Sequence, residues 1–402
     1  MPSTLKKNDL SCALRPCPVC SSIGSRTLLH RQRFQEGPLG DGYDVVVCAA
    51  CGAGFADGIP VQAELDDYYA ERSKYTYAHT AGAESPYDFK RFELIADQIE
   101  ANVPDKSARI LDIGCATGGL LAVLRRRGYT NVLGSDPSAT CAEAAKRLYG
   151  IDVKTATLAQ HATWTERFDA VLLVGVLEHV REVRAAVQVV AELLALGGKL
   201  YCNQPDVGTF AECRNAPYQQ FSIEHVNFFS RVSLCRLLAN AGLAPLQLWH
   251  SQIEWREGMT DSMLSGVFGR AVGANVHGRD TITQAALQSY VEQSAAQEAV
   301  VLRAIENLVR SQEPILIWGT GSFTRHLLAS TPLGKANITA FVDSNPSQQT
   351  YLLLGRQTLA PTALTERPET ILICSAAFGG EIRRCIGEEL HLPNRVRSLF
   401  SL

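Results

Sequence analysis

The stretch RILDIGCATGG, residues 109–119, most constrains what this chain can fold into. Its apolar start reads as a buried strand, and LLAVLRRRGY after it reads as a helix. Glycines between the two let the backbone approach a ligand closely and turn into the helix. NVLGSDPS then reads as a second strand ending in Asp136, 22 positions past Gly114. At that spacing in a βαβ unit a carboxylate meets ribose hydroxyls. The turn is not the GxGxxG of a dinucleotide fold. An acid stands in front of it, as Asp112-x-Gly114-x-x-x-Gly118.

This acid-first turn resembles motif I of class I S-adenosylmethionine (SAM)-dependent methyltransferases. Three later segments follow in that family's order. FDAVLLVGVLEHV (168–180) is similar to its fourth strand and turn, LALGGKLYCNQP (194–205) to a helix end, glycine turn and fifth strand, and VSLCRLLANAGL (232–243) to the helix before the final hairpin. The resemblance spans about 85–250 and implies roles by position. The loop Gly114, Cys115, Ala116, Gly118 packs against the methionine and ribose of SAM. Asp112 sits below the methionine amino group, and Asp136, followed by Pro137, holds the ribose hydroxyls. Leu158, in TATLAQ, is the candidate adenine contact. Each has a plainer alternative: Asp136 as a cap for the helix begun by PSATCAEAAKRL, Leu158 as core.

Two cysteine pairs open the chain, Cys17 and Cys20 in CPVC and Cys48 and Cys51 in CAAC, with 27 residues between them. A tetrahedral zinc needs four soft donors, and each CxxC turn delivers two sulfurs to one ion. Pro18 and Gly52 suit tight knuckles, and YDVVVC reads as a strand running into the second one. The pattern looks like a zinc ribbon, closed and therefore structural, because no position is left for water. Redox or incidental pairs are the alternative, but neither pair opens a helix after a strand as a thioredoxin-type CxxC would. Most of the other eight cysteines lie in apolar segments and read as buried free thiols.

At 402 residues the chain needs two or three domains. A hydrophobic share of 46% with 20% charged residues is that of a soluble globular protein. The net charge of −3 gives no basic field for nucleic acid. No stretch reaches the roughly 18 apolar residues of a membrane span, and MPSTLKKNDLSCALRP lacks the apolar centre of a signal peptide. A cytoplasmic location is expected, with partners limited to small molecules; the oligomeric state stays open.

Methyl transfer from a sulfonium is an in-line displacement, so the protein mainly aligns the partners. A hydroxyl or carbon acceptor also gives up a proton. The candidates are two Glu-His pairs past strand ends: His179, beside Glu178 in LEHV, and Glu224-His225 in FSIEHVNFFS. Each also fits a plain pocket-shaping role. LDDYYAERSKYTYAHT (65–80) carries Tyr68, Tyr69, Tyr75 and Tyr77. This bridge either closes over the cofactor, with Tyr75 the candidate contact, or forms an interface between units.

Residues 281–312 have apolar positions at near-helical spacing, among them Ala286, Tyr290, Val300, Leu302, Ile305 and Leu308, and read as one long helix ended by Pro314. A second βαβ pattern begins at once: PILIWGTGSFTRHLLAST, a strand ending in Asp343 that lies 24 positions past Gly319, then TILICSAAFGGEIRRCI. Thr324 occupies the third-glycine position, which argues against NAD; the turn still suits an anion such as a nucleotide-sugar phosphate, or serves packing alone.

The expected fold is α/β in four parts: a zinc-binding ribbon and tyrosine bridge (1–75), a Rossmann-like SAM-methyltransferase domain (76–250), a helical linker (251–313), and a smaller Rossmann-like domain (314–402). This order resembles the nucleotide-sugar C-methyltransferase family, whose last domain carries a similar glycine turn and VDxNP stretch. Glu224-His225 match that family's Tyr-x-Glu-His cluster, and Ser222 replaces its tyrosine. The resemblance implies methyl transfer to a nucleotide-activated sugar, with structural Zn2+. O- or N-methylation of another natural-product scaffold, an NAD-type oxidoreductase and an inactive scaffold are the alternatives.

Overall fold

A computed structural model describes residues 14–71, 83–271, 273, 278–350 and 352–400. After the first cysteine knuckle come β1 (Arg26–Arg33), β2 (Gly42–Cys48), β3 (Gly54–Asp57) and α1 (Gln62–Glu71). Next are α2 (Pro86–Asn102), β4 (Arg109–Ile113), α3 (Gly119–Arg126), β5 (Asn131–Asp136), α4 (Ala139–Tyr149), β6 (Val153–Thr155), β7 (Phe168–Val174), α5 (Val183–Leu193) and β8 (Leu194–Pro205). β9 (Asn227–Phe228) and α6 (Arg231–Ala239) precede the hairpin β10 (Leu243–Arg256) and β11 (Met259–Arg270). α7 (Ile282–Ser311) leads to β12 (Ile315–Trp318), α8 (Ser322–Ser330), β13 (Ile338–Val342), β14 (Leu352–Leu353), β15 (Arg356–Leu359), β16 (Thr370–Ile373), α9 (Gly379–Arg384) and β17 (Val396–Ser398).

The central sheet has the order β10-β11-β8-β7-β4-β5-β6, parallel from β8 to β6 and antiparallel at the hairpin. β7 is apolar almost throughout because both of its faces are covered. Val171 and Leu173 face α5 and α6, while Ala170 and Leu172 face α2 and α3. The hairpin carries the sheet to residue 270, past the domain boundary expected at 250. Residues 251–270 therefore belong to this sheet and not to the helical linker. β10 is an edge strand with few buried side chains, so its sequence lacks the apolar signal of an inner strand.

The ribbon sheet, β1-β2-β3-β9, takes its last strand from the central domain, with Gly54 opposite Phe228 and Phe55 opposite Asn227. Its knuckles share a core with the central sheet: Cys17, Val19, Cys51 and Phe55 pack with Leu111, Val171 and Leu234. α7, about 45 Å long at its 30 residues, is a strut between two cores. Leu287 and Tyr290 enter the core beside the ribbon, while Val301, Ile305 and Leu308 enter that of the last domain. Val300, counted above among its apolar positions, points to solvent, and Val301 takes the buried place. The last sheet has the order β14-β15-β13-β12-β16-β17. Among the described residues no helix is long and apolar enough to cross a membrane.

Arg15, just before the first knuckle, ties the ribbon to the central domain. It is buried, and its guanidinium donates to the carbonyls of Ala56 (3.0 Å), Arg181 (3.0 Å) and Val226 (2.5 Å) and to Asn227 Oδ1 (2.9 Å). Its backbone N–H donates to Asp57 Oδ1 at 3.0 Å. Burial, and then the neighbouring Arg181, bring its pKa down from the usual arginine value. A fork of donors meets this geometry and a lysine ammonium does not. Arg15→Met strands several buried acceptors, each worth about 1–3 kcal/mol. The melting temperature is expected to fall by ~5–10 °C, with Arg15→Lys restoring little of it; an unchanged melting curve for Arg15→Met would remove this tie.

Candidate active site

The acid-first turn lies where β4 ends. Gly114 (φ +73°) and Gly118 (φ +82°) are left-handed, and a Cβ on Gly114 would stand 2.7 Å from Val176 Cγ2. Ala116 is also left-handed (φ +47°), a conformation that costs an L-residue about 1–2 kcal/mol. A carboxylate holds it there: Asp136 Oδ2 accepts from Ala116 N at 3.0 Å, and Asp136 Oδ1 accepts from Ser138 N at 2.9 Å. Asp136 thus braces the turn and fixes Ser138, the residue that precedes α4. The Cys141 thiol adds a third hydrogen bond to this carboxylate, which leaves it lone-pair capacity for one further donor. Burial raises its pKa.

Asp112, at the foot of the same turn, is buried, and its Oδ1 has no hydrogen-bond partner among the described residues. Burial, and then the Asp136 charge, push its pKa up to about 8. An orphaned acid of this kind matches a cationic ligand group, such as the ammonium of the methionine part of SAM. The sequence candidates divide here. Gly114, Ala116, Pro137 and Leu158 keep exposed surface around the turn. Cys115 does not: its sulfur is buried against α3 and β5, where a Cβ on Gly134 would approach it to 2.6 Å. The Cys115 backbone is engaged within the turn: its N–H donates to Ser135 O (3.1 Å) and its carbonyl accepts from Gly118 N (2.9 Å). Leu158 sits at the rim of the central core. Tyr75 lies outside the described residues.

Two turns meet beside this groove. One, 177–180, follows β7; the other, 222–227, precedes β9. Val226 N donates to Glu178 O at 2.7 Å, and Asn227 Nδ2 donates to Leu177 O (2.7 Å) and Val180 O (2.8 Å). His179 Nδ1 lies 3.1 Å from Glu224 O. This lacing brings together two histidines far apart in sequence, with ring centroids 5.0 Å apart at 68°. Ligand atoms of Glu178, His179 and His225 all lie within 4.8 Å of one another. Ser222 Oγ accepts from Glu224 N (3.3 Å) and His225 N (3.2 Å), shaping the second turn. Phe221 points away into the core. α1 adds Tyr68, whose OH donates to Glu224 Oε1 at 3.0 Å, and Tyr69, whose OH is 3.0 Å from His179 Nδ1. Asn227 and Arg15 were not legible as contributors, since a lone Asn or Arg carries no spacing signal.

The four ribbon cysteines converge, with Sγ–Sγ distances of 3.5 Å for Cys17–Cys51 and 3.7 Å for Cys20–Cys48. The S–H···S bond from Cys51 holds the Cys17 thiol low and raises Cys51. Gly52 (φ +83°) is required there, since a Cβ would strike Asp280 O at 1.9 Å. Four converging soft donors with no oxygen ligand fit a zinc ion.

The last domain repeats the acid-and-turn device. Asp343 Oδ2 accepts from Thr320 N (2.8 Å) and Thr320 Oγ1 (2.9 Å), and Oδ1 from Asn345 N (2.9 Å). Ser322 Oγ, at the start of α8, accepts from Ile223 N at 3.5 Å, so this turn abuts the Glu224-His225 segment. A cleft of about 330 Å³ opens past the ends of β16 and β17, lined by Ser375, Ala376 and Ser398 on one wall and by Arg214, Asn215 and Gln297 on the other. Ligands of open α/β sheets bind at this carboxyl edge.

Residues 87–248 match the sequence family described as a methyltransferase domain. A ubiquinone biosynthesis O-methyltransferase of Chelativorans sp. (strain BNC1) is 38% identical over 104 residues, covering 24% of this chain and 40% of that protein. One from Cereibacter sphaeroides (strain ATCC 17025 / ATH 2.4.3) is 35% identical over 127 residues, 28% of this chain and 51% of that protein. The chain thus spans about half or less of the length of these curated relatives. Among solved structures, magnesium protoporphyrin IX methyltransferase (ChlM) from Synechocystis PCC 6803 with bound SAH aligns at a TM-score of 0.39 and 16% identity, over 52% of this chain and 100% of that one. N-methyltransferase NodS from Bradyrhizobium japonicum WM9, in complex with S-adenosyl-L-homocysteine, gives 0.39 and 16%, over 52% and 98%. Residues 87–248 are thus similar in sequence to a methyltransferase domain.

Proposed function

We propose that the chain is a SAM-dependent methyltransferase acting on a small molecule, most readily a nucleotide-activated sugar. The observation that carries the cofactor is Asp112: a buried carboxylate, raised to about 8 and with no partner at Oδ1 among the described residues, at the foot of a left-handed glycine turn. SAM supplies an electrophilic methyl group on a sulfonium. Asp112 holds the ammonium end, the Gly114–Gly118 backbone lies along the methionine and ribose, and Asp136 accepts from a ribose hydroxyl through its remaining lone pair. His225 removes the acceptor proton. The Glu178 carboxylate, within 4.8 Å of both imidazoles, offsets the charge that forms. His179 and Glu224 hold the two turns in register. The ribbon binds one structural Zn2+ through Cys17, Cys20, Cys48 and Cys51.

The contact of Ser322 with the Ile223 backbone supports the acceptor class. It sets the glycine turn of the last domain beside the proposed base, so a diphosphate handle held there would present its sugar to His225. O-methylation of a smaller, nucleotide-free acceptor is the second reading. It is favoured by the identity of the central domain to proteins named O-methyltransferases. Incubating the full chain with methyl-labelled SAM and separate pools of nucleoside diphosphate sugars and of phenols, followed by NMR of the product, decides between them.

Three outcomes are expected. S-adenosylhomocysteine binding should release up to about one proton near pH 7, because its ammonium favours ionised Asp112, which is mostly protonated below pH 8. Affinity should therefore rise with pH between about 6 and 8, by up to ~10-fold per unit. Calorimetry in buffers of differing ionisation enthalpy checks this; Asp112→Asn should lose both the proton release and most of the affinity, and pH-independent binding would contradict the role. His225→Gln should lower turnover of the acceptor found in the screen by ~10²–10⁴-fold with homocysteine-cofactor binding intact; undiminished turnover would exclude it as base. Cys48→Ser should reduce metal, by elemental analysis, from about one zinc per chain to a small fraction, and equal zinc in variant and parent would refute the ribbon site.

A further inference from the structure

We propose that Asn203 and Arg91 form the acceptor-binding wall of the site, and that they take a small molecule presenting a hydroxyl beside a second oxygen, as a sugar ring does. This rests on the methyl-transfer reading above and names the part of the acceptor that the site recognises.

Asn203 stands near the carboxyl end of β8. Alternation along the strand puts its side chain on the same sheet face as Tyr201, the face covered by α2 and α3. Asp112 shares that face, because Ile110 does. The sheet order then fixes the order of groups along its carboxyl edge: Asp136 on β5, Asp112 on β4, the turn after β7, and Asn203 on β8. With the ribose end at Asp136 and the ammonium end at Asp112, Asn203 falls on the far side, where a methyl acceptor enters. The backbone ties it to the turn after β7, since Gly175 N donates to Asn203 O at 2.8 Å. Its side chain is only 3% exposed. Nδ2 donates to Ser265 Oγ at 2.7 Å, across the pairing of β8 with β11. Oδ1 has no hydrogen-bond partner among the described residues. A buried amide oxygen in that state costs stability until a donor reaches it.

Arg91 supplies the opposite polarity. Arg91, Ile95, Gln98 and Asn102 lie on one stripe of α2. Lys199 Nζ donates to Asn102 O, and Tyr201 OH donates to Gln98 Oε1 at 2.6 Å. The helix therefore runs against β8, and earlier helix residues lie over later strand residues. Arg91, two turns before Gln98, stands ~10 Å further toward the carboxyl edge. That is about three strand residues past Tyr201, over Asn203 and Pro205. The charges agree: burial raises the pKa of Tyr201 and of Asp261, and Arg91 pulls each back, as a guanidinium between them does. Arg91 Nη2 is 4.0 Å from Asp88 Oδ1, while its Nε is buried with no hydrogen-bond partner among the described residues. An unmet acceptor and an unmet donor thus share one face of the sheet. A hydroxyl on Asn203 Oδ1, with a neighbouring hydroxyl, ether or carbonyl oxygen on Arg91 Nε, satisfies both. A hydrocarbon satisfies neither, and a lone hydroxyl leaves one unmet.

The test uses the full chain, S-adenosylhomocysteine, and the nucleoside diphosphate sugar or phenol that the screen above finds methylated. Asn203→Leu keeps the side-chain size and removes the unmet oxygen. Its melting temperature should stay within ~2 °C of the parent or rise, with S-adenosylhomocysteine affinity unchanged. Its kcat/KM for the acceptor should fall ~10–10²-fold, mostly through KM. Arg91→Lys, which keeps the charge and loses the Nε donor, should do the same. An acceptor analogue lacking the hydroxyl of the oxygen pair should lose a similar factor in the parent and little further in Asn203→Leu. A melting temperature lowered by ~5 °C or more makes Asn203 a group the fold itself needs, and overturns the assignment with no acceptor in hand. Weakened S-adenosylhomocysteine binding in the variant, undiminished kcat/KM, or an equal analogue penalty in variant and parent overturns it as well. A parent that fails to bind S-adenosylhomocysteine sinks the methyl-transfer reading; normal parental binding with any of those variant results sinks the wall alone.

Discussion

Two carboxylates converge on one glycine turn, and the arrangement of the central domain follows from how that charge is accommodated. Asp136 is satisfied by the backbone: the amides of Ala116 and Ser138 take up its oxygens and fix a left-handed alanine in place. Asp112 is not satisfied, and burial beside Asp136 makes its ionised form unfavourable. A protein could remove that penalty by replacing the acid. Keeping it makes sense where a cation arrives from outside, since the same burial that raises the pKa strengthens the attraction to a charged ligand. The turn therefore suits the cofactor proposed above, which carries an ammonium group together with a ribose.

The other parts of the chain are organised around the edge of that groove. The turn after β7 and the turn before β9 are laced by backbone and Asn227 hydrogen bonds, and Arg15 clamps the lacing from the ribbon side. The cysteine knuckle reaches the same region through Asp280. Asp280 N donates to Cys51 O, and the Asp280 side chain accepts from Ser230 at the start of α6 and from the first residues of α7. The ribbon, the central sheet and the long strut thus share one joint. The last domain approaches from the other side, through Ser322 and through Arg325, which donates to the carbonyls of Gln35 and Glu36 in the ribbon. His179 and His225 sit beside the place where these units meet.

Much of this was legible in the sequence because it is written locally. The strand–turn–helix at 109–126, the spacing to Asp136, the two CxxC pairs and the second turn at 319 each lie within a short window, and backbone sterics demand glycine at the same places. Residues that act over long range were harder to read. The domain boundary expected at 250 falls inside β10, because an edge strand with solvent on most of its side chains loses the apolar pattern that marks an inner strand. Cys115 belongs to the right loop, yet its side chain turns inward, a detail that depends on the empty space over Gly134. Arg15, Asn227 and Tyr69 have meaning only once residues 50 or more positions away are brought beside them.

The most direct measurement is a crystal structure of the full chain grown with S-adenosylhomocysteine. The account predicts that the homocysteine ammonium lies within hydrogen-bond distance of Asp112 Oδ1 and that a ribose hydroxyl reaches Asp136. A groove left vacant at saturating ligand, or one in which the ligand binds away from both acids, would contradict it.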